Sequence, residues 1–199
     1  MALEELGLDT DRDSMKTRDK LIGVYVGILA VILAICSLGG SNAEQDALQE
    51  NIAASNTWAF FQAKNARRQA LRLHVEEFEA MLKMSPSISD DARAMLETKI
   101  ADYKAQDKLL TTDPKSGEGL DELFGKGKAL EAVRDVALKK DPYFDYGQAL
   151  LQISIVLASV ALISGGNMLL YFSFGLAILG VVSTVGGFTL AFPLPGFLS

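Results

Sequence analysis

The sequence predicts an all-α membrane protein with three transmembrane helices and a helical hairpin or coiled-coil insertion between the first two. Three observations support this fold class. Residues 21–38 and 149–199 contain no Asp, Glu, Lys or Arg, although the 199-residue chain carries 19 basic and 25 acidic residues. The charged stretch between them has apolar residues at steps of three and four, which is typical of helices. Proline- and glycine-rich breaks divide that stretch into three helices.

The segregation of apolar and charged residues divides the chain into six parts. They are an N-terminal tail (1–19), a first transmembrane helix (20–40), an extramembrane helical domain (41–147), a second transmembrane helix (148–164), a third (168–188) and an interfacial tail (189–199). The link between the last two spans is so short that they must form an antiparallel pair.

The first span runs without a charge from Leu21 to Leu38, which is long enough for a helix to cross about 30 Å of hydrocarbon. A cleaved signal peptide is the alternative interpretation. The acidic leader and the length of the apolar run favour an uncleaved span. Gly23 and Gly27 form a GxxxG pattern, which lets membrane helices approach closely, so both are candidate interface residues.

The third span also carries small residues at helix-packing spacing. Gly180 and Gly187 are the candidate interface residues in it, because close helix packing in membranes uses such positions. Just before the second span, Tyr143, Phe144 and Tyr146 predict an aromatic belt at the level of the lipid headgroups.

The extramembrane domain begins with a long helix predicted from Ser41 to Met84. Pro86 follows it and prevents the helix from continuing. Two sets of residues predict its packing face. The downstream set is Leu71, Val75, Phe78 and Leu82, and a narrower upstream set, Leu48, Ile52, Ser55, Ala59 and Gln62, is expected to continue it.

Two further helices are expected before the membrane is re-entered. Ser89 predicts the N-cap of the second, which runs to about Leu110, and the third runs from about Leu120 to Lys139 before a break at Asp141-Pro142. Their combined length matches the rise of the first helix, which favours an antiparallel hairpin in which both pack beside it. The alternative is a compact three-helix bundle whose first helix breaks near Gly39-Gly40 or Asn56.

Basic residues give two opposing indications of orientation. Four Lys or Arg residues precede the first span and none lies at residues 41–63, which places the N-terminus in the cytoplasm. Basic residues also precede the second span and none follows it, which places the helical domain in the cytoplasm. First spans usually dominate, so we predict a cytoplasmic N-terminus and a helical domain on the far side of the membrane.

The most distinctive short run is Asn56-Thr57-Trp58-Ala59-Phe60-Phe61-Gln62-Ala63-Lys64. Trp58 and Phe61 are three residues apart and are expected to pack in the hairpin core. Phe60 points elsewhere on a helix and is expected to contact another subunit or a partner. The candidate interface residues in this run are Trp58, Phe60, Phe61, Gln62 and Lys64.

Residues for catalysis or metal binding are scarce. His74 is the single histidine, so a His/Cys metal cluster and most histidine-based triads are disfavoured. The run from Gly119 to Lys128 lacks the GxxxxGK[ST] pattern of a phosphate loop. The net charge of −6 disfavours nucleic acid as a partner. We therefore expect no enzyme activity, no catalytic residues, no cofactor and no metal.

Two segments stand out: residues 38–48, Leu-Gly-Gly-Ser-Asn-Ala-Glu-Gln-Asp-Ala-Leu, and residues 55–64, Ser-Asn-Thr-Trp-Ala-Phe-Phe-Gln-Ala-Lys. They resemble a widespread, uncharacterised bacterial family of small membrane proteins with three spans, which is described as a domain of unknown function. The resemblance covers the whole layout and implies a multi-pass protein of the bacterial inner membrane. Similar members often carry basic residues between the last two spans, which supports a helical domain outside the cytoplasm, whereas residues 164–167 of this chain carry none. The resemblance implies no activity, cofactor or catalytic residue.

Two functional hypotheses remain open. The first is a non-enzymatic membrane protein that works by assembly in the lipid bilayer, either as a homo-oligomer or as an accessory or structural subunit of a larger membrane complex. The second is a small transport or sensor protein whose extramembrane domain binds a ligand. The scarcity of ionisable residues in the spans disfavours an ion or proton path.

Overall fold

The computed structural model describes the backbone of residues 2–85 and 87–193, and side chains from Thr17 onwards. This part of the chain forms four α-helices and no strand, so the all-α prediction is confirmed for it. The helices are α1 (Ala2–Met84), α2 (Asp90–Thr111), α3 (Leu120–Ser164) and α4 (Asn167–Thr189). Among the described residues, α1, α3 and α4 are long and apolar enough to cross a membrane.

Two expected helix breaks are absent. The helix α1 continues through Gly39, Gly40 and Asn56, so the alternative with a broken first helix is wrong. The helix α3 continues through Pro142, so the predicted end at Asp141-Pro142 is also wrong. Proline removes one backbone hydrogen bond from a helix, and here the following turn is fixed by the buried rings of Tyr143 and Phe144.

The remaining helix ends follow local signals. Ser89 caps α2 as predicted, since its side chain accepts a hydrogen bond from the Ala92 amide at 3.4 Å. Gly165, between α3 and α4, has a φ of +71°, a backbone conformation that favours glycine. Its amide donates a hydrogen bond to the Ala161 carbonyl at the end of α3. The predicted stop at Pro86 lies outside the described residues, and α1 ends at Met84.

The described chain divides into two compact units. We call Met1–Ala47 with Asp135–Ser199 the terminal unit, and Leu48–Arg134 the central unit. The core of the terminal unit is formed by Cys36, Phe144 and Leu151, all at most 1% exposed. Of the predicted interfacial tail, Phe192 packs edge-on against Tyr143, and residues 194–199 lie outside the described residues.

Within the central unit, α2 and the first part of α3 run antiparallel to α1. Three contacts show the antiparallel direction, because the residue number of the partner in α2 or α3 rises as the residue number in α1 falls. Glu79 pairs with Lys104 at 2.7 Å, Arg72 with Asp107 at 2.7 Å, and Trp58 with Glu131 at 2.9 Å. The buried side of α2 is formed by Ile100 and Leu110.

The prediction of one continuous packing face along α1 is wrong for its upstream half. Leu71, Val75, Phe78 and Leu82 are half-buried, whereas Leu48, Ile52, Ser55, Ala59 and Gln62 are all exposed. Gln62 and Leu71 are nine residues apart, which is two and a half helical turns, so they lie on opposite sides of the helix. The upstream set therefore faces away from α2 and α3.

Candidate assembly surfaces

The aromatic run of α1 places Trp58 in the middle of a ring cluster in the central unit. The Trp58 ring makes edge-on contacts with Phe61 and Phe124, each at 5.6 Å between ring centroids. A Cβ added at Gly127 would lie 2.9 Å from the Trp58 ring, so the indole lies directly on the backbone of α3. This arrangement agrees with the expectation that Trp58 and Phe61 pack in the hairpin core.

Charged groups fix the polar edge of Trp58. Its indole N–H donates a hydrogen bond to Glu131 Oε1 at 2.9 Å, and Lys128 Nζ lies 5.7 Å from the ring centroid. Lys128 also donates to Glu131 Oε2 at 2.8 Å. The hydrogen bond from Lys128, followed by that from Trp58, lowers the pKa of Glu131 below its ordinary value.

The other residues of the run do not join this cluster. The Phe60 side chain is 43% exposed, and Lys64 Nζ lies 5.2 Å from its ring centroid. Gln62 is exposed. Lys64 donates to the Glu118 backbone carbonyl and lies 3.8 Å from the Glu118 carboxylate. The structure thus divides the predicted interface residues into two that pack inside, two that face outward, and Lys64 between them.

The four glycines predicted as interface residues also divide into two pairs. Gly180 and Gly187 are buried in the terminal unit, where an added Cβ would lie 2.9 Å from Leu151 and 2.8 Å from Phe144. Gly23 and Gly27 are exposed, and an added Cβ would meet nothing within 4 Å at either position. The chain itself uses the first pair for close helix packing and leaves the second pair uncovered.

Phe144 is a packing residue that the sequence did not reveal. Its ring lies between Gly39 and Gly187, and an added Cβ would come within 2.5 Å and 2.8 Å of it respectively. The expected aromatic belt is therefore wrong for Tyr143 and Phe144, which are only 5% and 1% exposed. Glycine pairs inside two apolar helices were the available signal, because small residues in membrane helices often accommodate a large neighbour.

Hydroxyl groups satisfy several buried backbone carbonyls in the terminal unit. Ser173 donates to the Ser154 carbonyl at 2.8 Å and also pairs with the Tyr25 hydroxyl at 3.0 Å. Ser183 donates to the Tyr143 carbonyl at 2.6 Å. Such bonds join helices in apolar surroundings, and they assign these residues to structure within the chain.

The residues considered for chemistry have structural partners. His74 lies 3.5 Å from Glu77. Its ring stacks near Phe78 and is tilted relative to Tyr103, with ring centroids 6.2 Å away in both cases. The described part of the chain contains no group of three or more His, Cys, Asp or Glu side chains that could hold a metal ion. The absence of a metal or cofactor in the whole protein stays a prediction.

The glycine-rich segment before α3 is closed by acidic side chains. Thr112 donates to Asp121 at 2.6 Å, and the Asp113 amide donates to Glu122 at 3.2 Å. These carboxylates lie in the first turn of α3, where a phosphate loop would present free backbone amides to its ligand. The arrangement gives no support to nucleotide binding.

The geometry defines a class of protein, because the described residues form four α-helices without a strand and three of these helices are suited to crossing a membrane. Residues 18–190 match a family described as Domain of unknown function (DUF4337), and the chain belongs to this family. Searches of curated proteins and of solved structures gave no match.

Proposed function

We propose that this chain is a non-enzymatic integral membrane protein that works by assembly, with copies of itself or as an accessory or structural subunit of a larger membrane complex. The observation that carries the proposal is the uncovered pair Gly23 and Gly27. Membrane helices associate through close backbone contact at small residues. Gly180 and Gly187 meet large side chains of the same chain, whereas the uncovered pair leaves room for close approach of a helix from another chain.

Phe60 gives independent support in the central unit. Its ring is 43% exposed beside Lys64, whereas its neighbours Trp58 and Phe61 are held in the ring cluster. Aromatic residues are enriched at protein interfaces. A second surface of the same chain is thus suited to contact with another subunit.

A ligand-binding role for the central unit is the second candidate. A groove of about 380 Å³ between α1 and α2 lies within the volume range of small-molecule sites. Four of its five charged groups, however, already pair with one another: Arg72 with Asp107 and Lys104 with Glu79. A ligand would have to replace these pairs, so the groove gives little support to ligand binding.

We further propose that the membrane is the inner membrane of a bacterium, with the N-terminus cytoplasmic and the central unit periplasmic. The four basic residues before the first span support this orientation. A reporter enzyme active on only one side of the membrane, inserted in the 112–119 loop, tests it. Activity of a cytoplasmic reporter there would reverse the orientation.

Purification from native membranes in mild detergent tests the proposal. We expect a complex larger than one chain, or other membrane proteins at fixed stoichiometry. A single chain with nothing bound would overturn the proposal. Thermal stabilisation of that single chain by one member of a metabolite panel, lost in Arg72→Ala, would instead support the ligand-binding candidate.

A further inference from the structure

The central unit has a second face of α1 that no part of the described chain covers. We call it the outer seam and define it by Leu48, Ile52, Ser55, Ala59, Gln62 and Ala66, all of which are exposed. Leu48 and Ile52 are 59% and 52% exposed. The opposite side of the same helix is packed, since Ala54 and Thr57 are only 2% and 8% exposed.

The spacing of the outer seam is that of a coiled coil. Its residues follow one another at strictly alternating steps of four and three, and Gln69 and Leu73 continue the alternation, both of them exposed. This repeat of seven residues is the signature of a helix that pairs with another helix. A helix that only covers its own domain carries charged and polar residues on its outward side.

The residue types of the outer seam favour a close, two-stranded pair. In the coiled-coil register Ile52 occupies an a position and Leu48 a d position, the combination that favours parallel dimers. Ser55, Ala59 and Ala66 are small and allow two helices to approach closely. Gln62 supplies one polar side chain that can meet its own counterpart and fix the register.

We propose that the outer seam is the contact between two parallel copies of this chain, related by a two-fold axis. This inference rests on the proposed function, because two copies inserted in one membrane with the same orientation can pair only in parallel. A two-fold axis places each seam residue against its own counterpart. Since the outer seam carries no charge, no like charges oppose one another in such a pair.

The positions beside the outer seam support a second copy over a charged partner. Those that flank the contact from Leu48 to Ala66 are uncharged: Gln49, Asn51, Asn56, Trp58, Ala63 and Asn65. Coiled coils between different chains select their partners through charged residues at these flanking positions.

Cysteine crosslinking in native membranes tests the seam. The single natural cysteine, Cys36, is fully buried and is first replaced by Ala, and one new cysteine is then placed at each position from 52 to 66 of the full-length chain. Mild oxidation is followed by measurement of the dimer fraction. Ala105→Cys, an exposed alanine on α2, is the matched control.

We expect dimer yield to peak at 52, 55, 59, 62 and 66, several-fold above Ala105→Cys. We also expect Ala59→Glu to lower the share of self-associated chain, with Ala105→Glu having no effect. Equal yields at all positions, or crosslinks only to a different protein, would overturn the seam. In both cases a complex larger than one chain would still sustain the proposed function, so the two failures are distinguishable.

Discussion

Trp58 donates its indole N–H to Glu131 across 2.9 Å, which joins α1 to α3 between residues 73 positions apart. Lys128 holds the same carboxylate at 2.8 Å and lies over the indole ring. This relationship makes the single tryptophan of the chain a reporter for the packing of the central unit. It also identifies the aromatic run from Trp58 to Phe61 as a structural junction with an outward-facing edge.

Acid titration should be visible through Trp58. The pKa of Glu131 is lowered in the folded chain, so its contribution to stability is complete above the ordinary value of 4.5 and is lost as pH falls through the lowered value. We expect a change in tryptophan emission with a midpoint below pH 4.5. Glu131→Gln should lack that transition, and an unchanged transition in this variant would contradict the assignment.

Two glycines of α3 provide a matched pair of substitutions. Gly125 has nothing within 4 Å of an added Cβ, so Gly125→Ala should stabilise the protein by about 0.5–1 kcal/mol through helix propensity. Gly127→Ala should destabilise it by about 1–3 kcal/mol, because its Cβ meets the fixed Trp58 ring at 2.9 Å. Chemical denaturation followed by tryptophan emission measures both. Equal effects of the two substitutions would show that Trp58 does not lie against Gly127.

The glycines of the terminal unit should separate folding from assembly. Gly187→Leu forces a side chain into the Phe144 ring and should lower the melting temperature in detergent. Gly27→Leu adds a side chain to an uncovered position, so the melting temperature of the single chain should change little while the fraction in complexes falls. Unchanged association of the Gly27→Leu chain would remove the main support for assembly through this face.

Phe60 and Phe61 are neighbours with different expected roles. Phe61→Ala should cost about 2 kcal/mol in the free energy of unfolding, because the ring packs against Trp58 and Phe124. Phe60→Ala should leave that free energy within about 0.5 kcal/mol, since the ring is largely outside the packed cluster. Its effect should instead appear as weaker association on dilution. A large loss of stability in Phe60→Ala would show that the ring is part of the core.

Much of the fold followed from local signals. Charge segregation predicted the apolar stretches of α1, α3 and α4, Ser89 predicted the start of α2, and the helix spacing placed Trp58 and Phe60 on different sides of α1. Pro142 shows the limit of such signals. Its unfavourable effect is local, and the surrounding packing of Tyr143 and Phe144 outweighs it.

The candidate surfaces were harder to predict for a physical reason. Periodicity shows that a helix has an apolar face, but it does not say which neighbour covers that face. The seam residues from Leu48 to Gln62 therefore looked like a continuation of the core, although nine residues separate Gln62 from Leu71. In the same way, the patterns of small residues around Gly23 and around Gly187 looked equivalent in the sequence. Only the structure shows that Gly23 is uncovered and that Gly187 is covered.

The mass of the protein purified from native membranes, corrected for bound detergent and lipid, tests the central claim of assembly most directly. We predict a mass of at least two chains, or of one chain with a partner at fixed stoichiometry, that decreases in the Gly27→Leu variant. The mass of one chain alone, at every concentration and in more than one mild detergent, would contradict the claim.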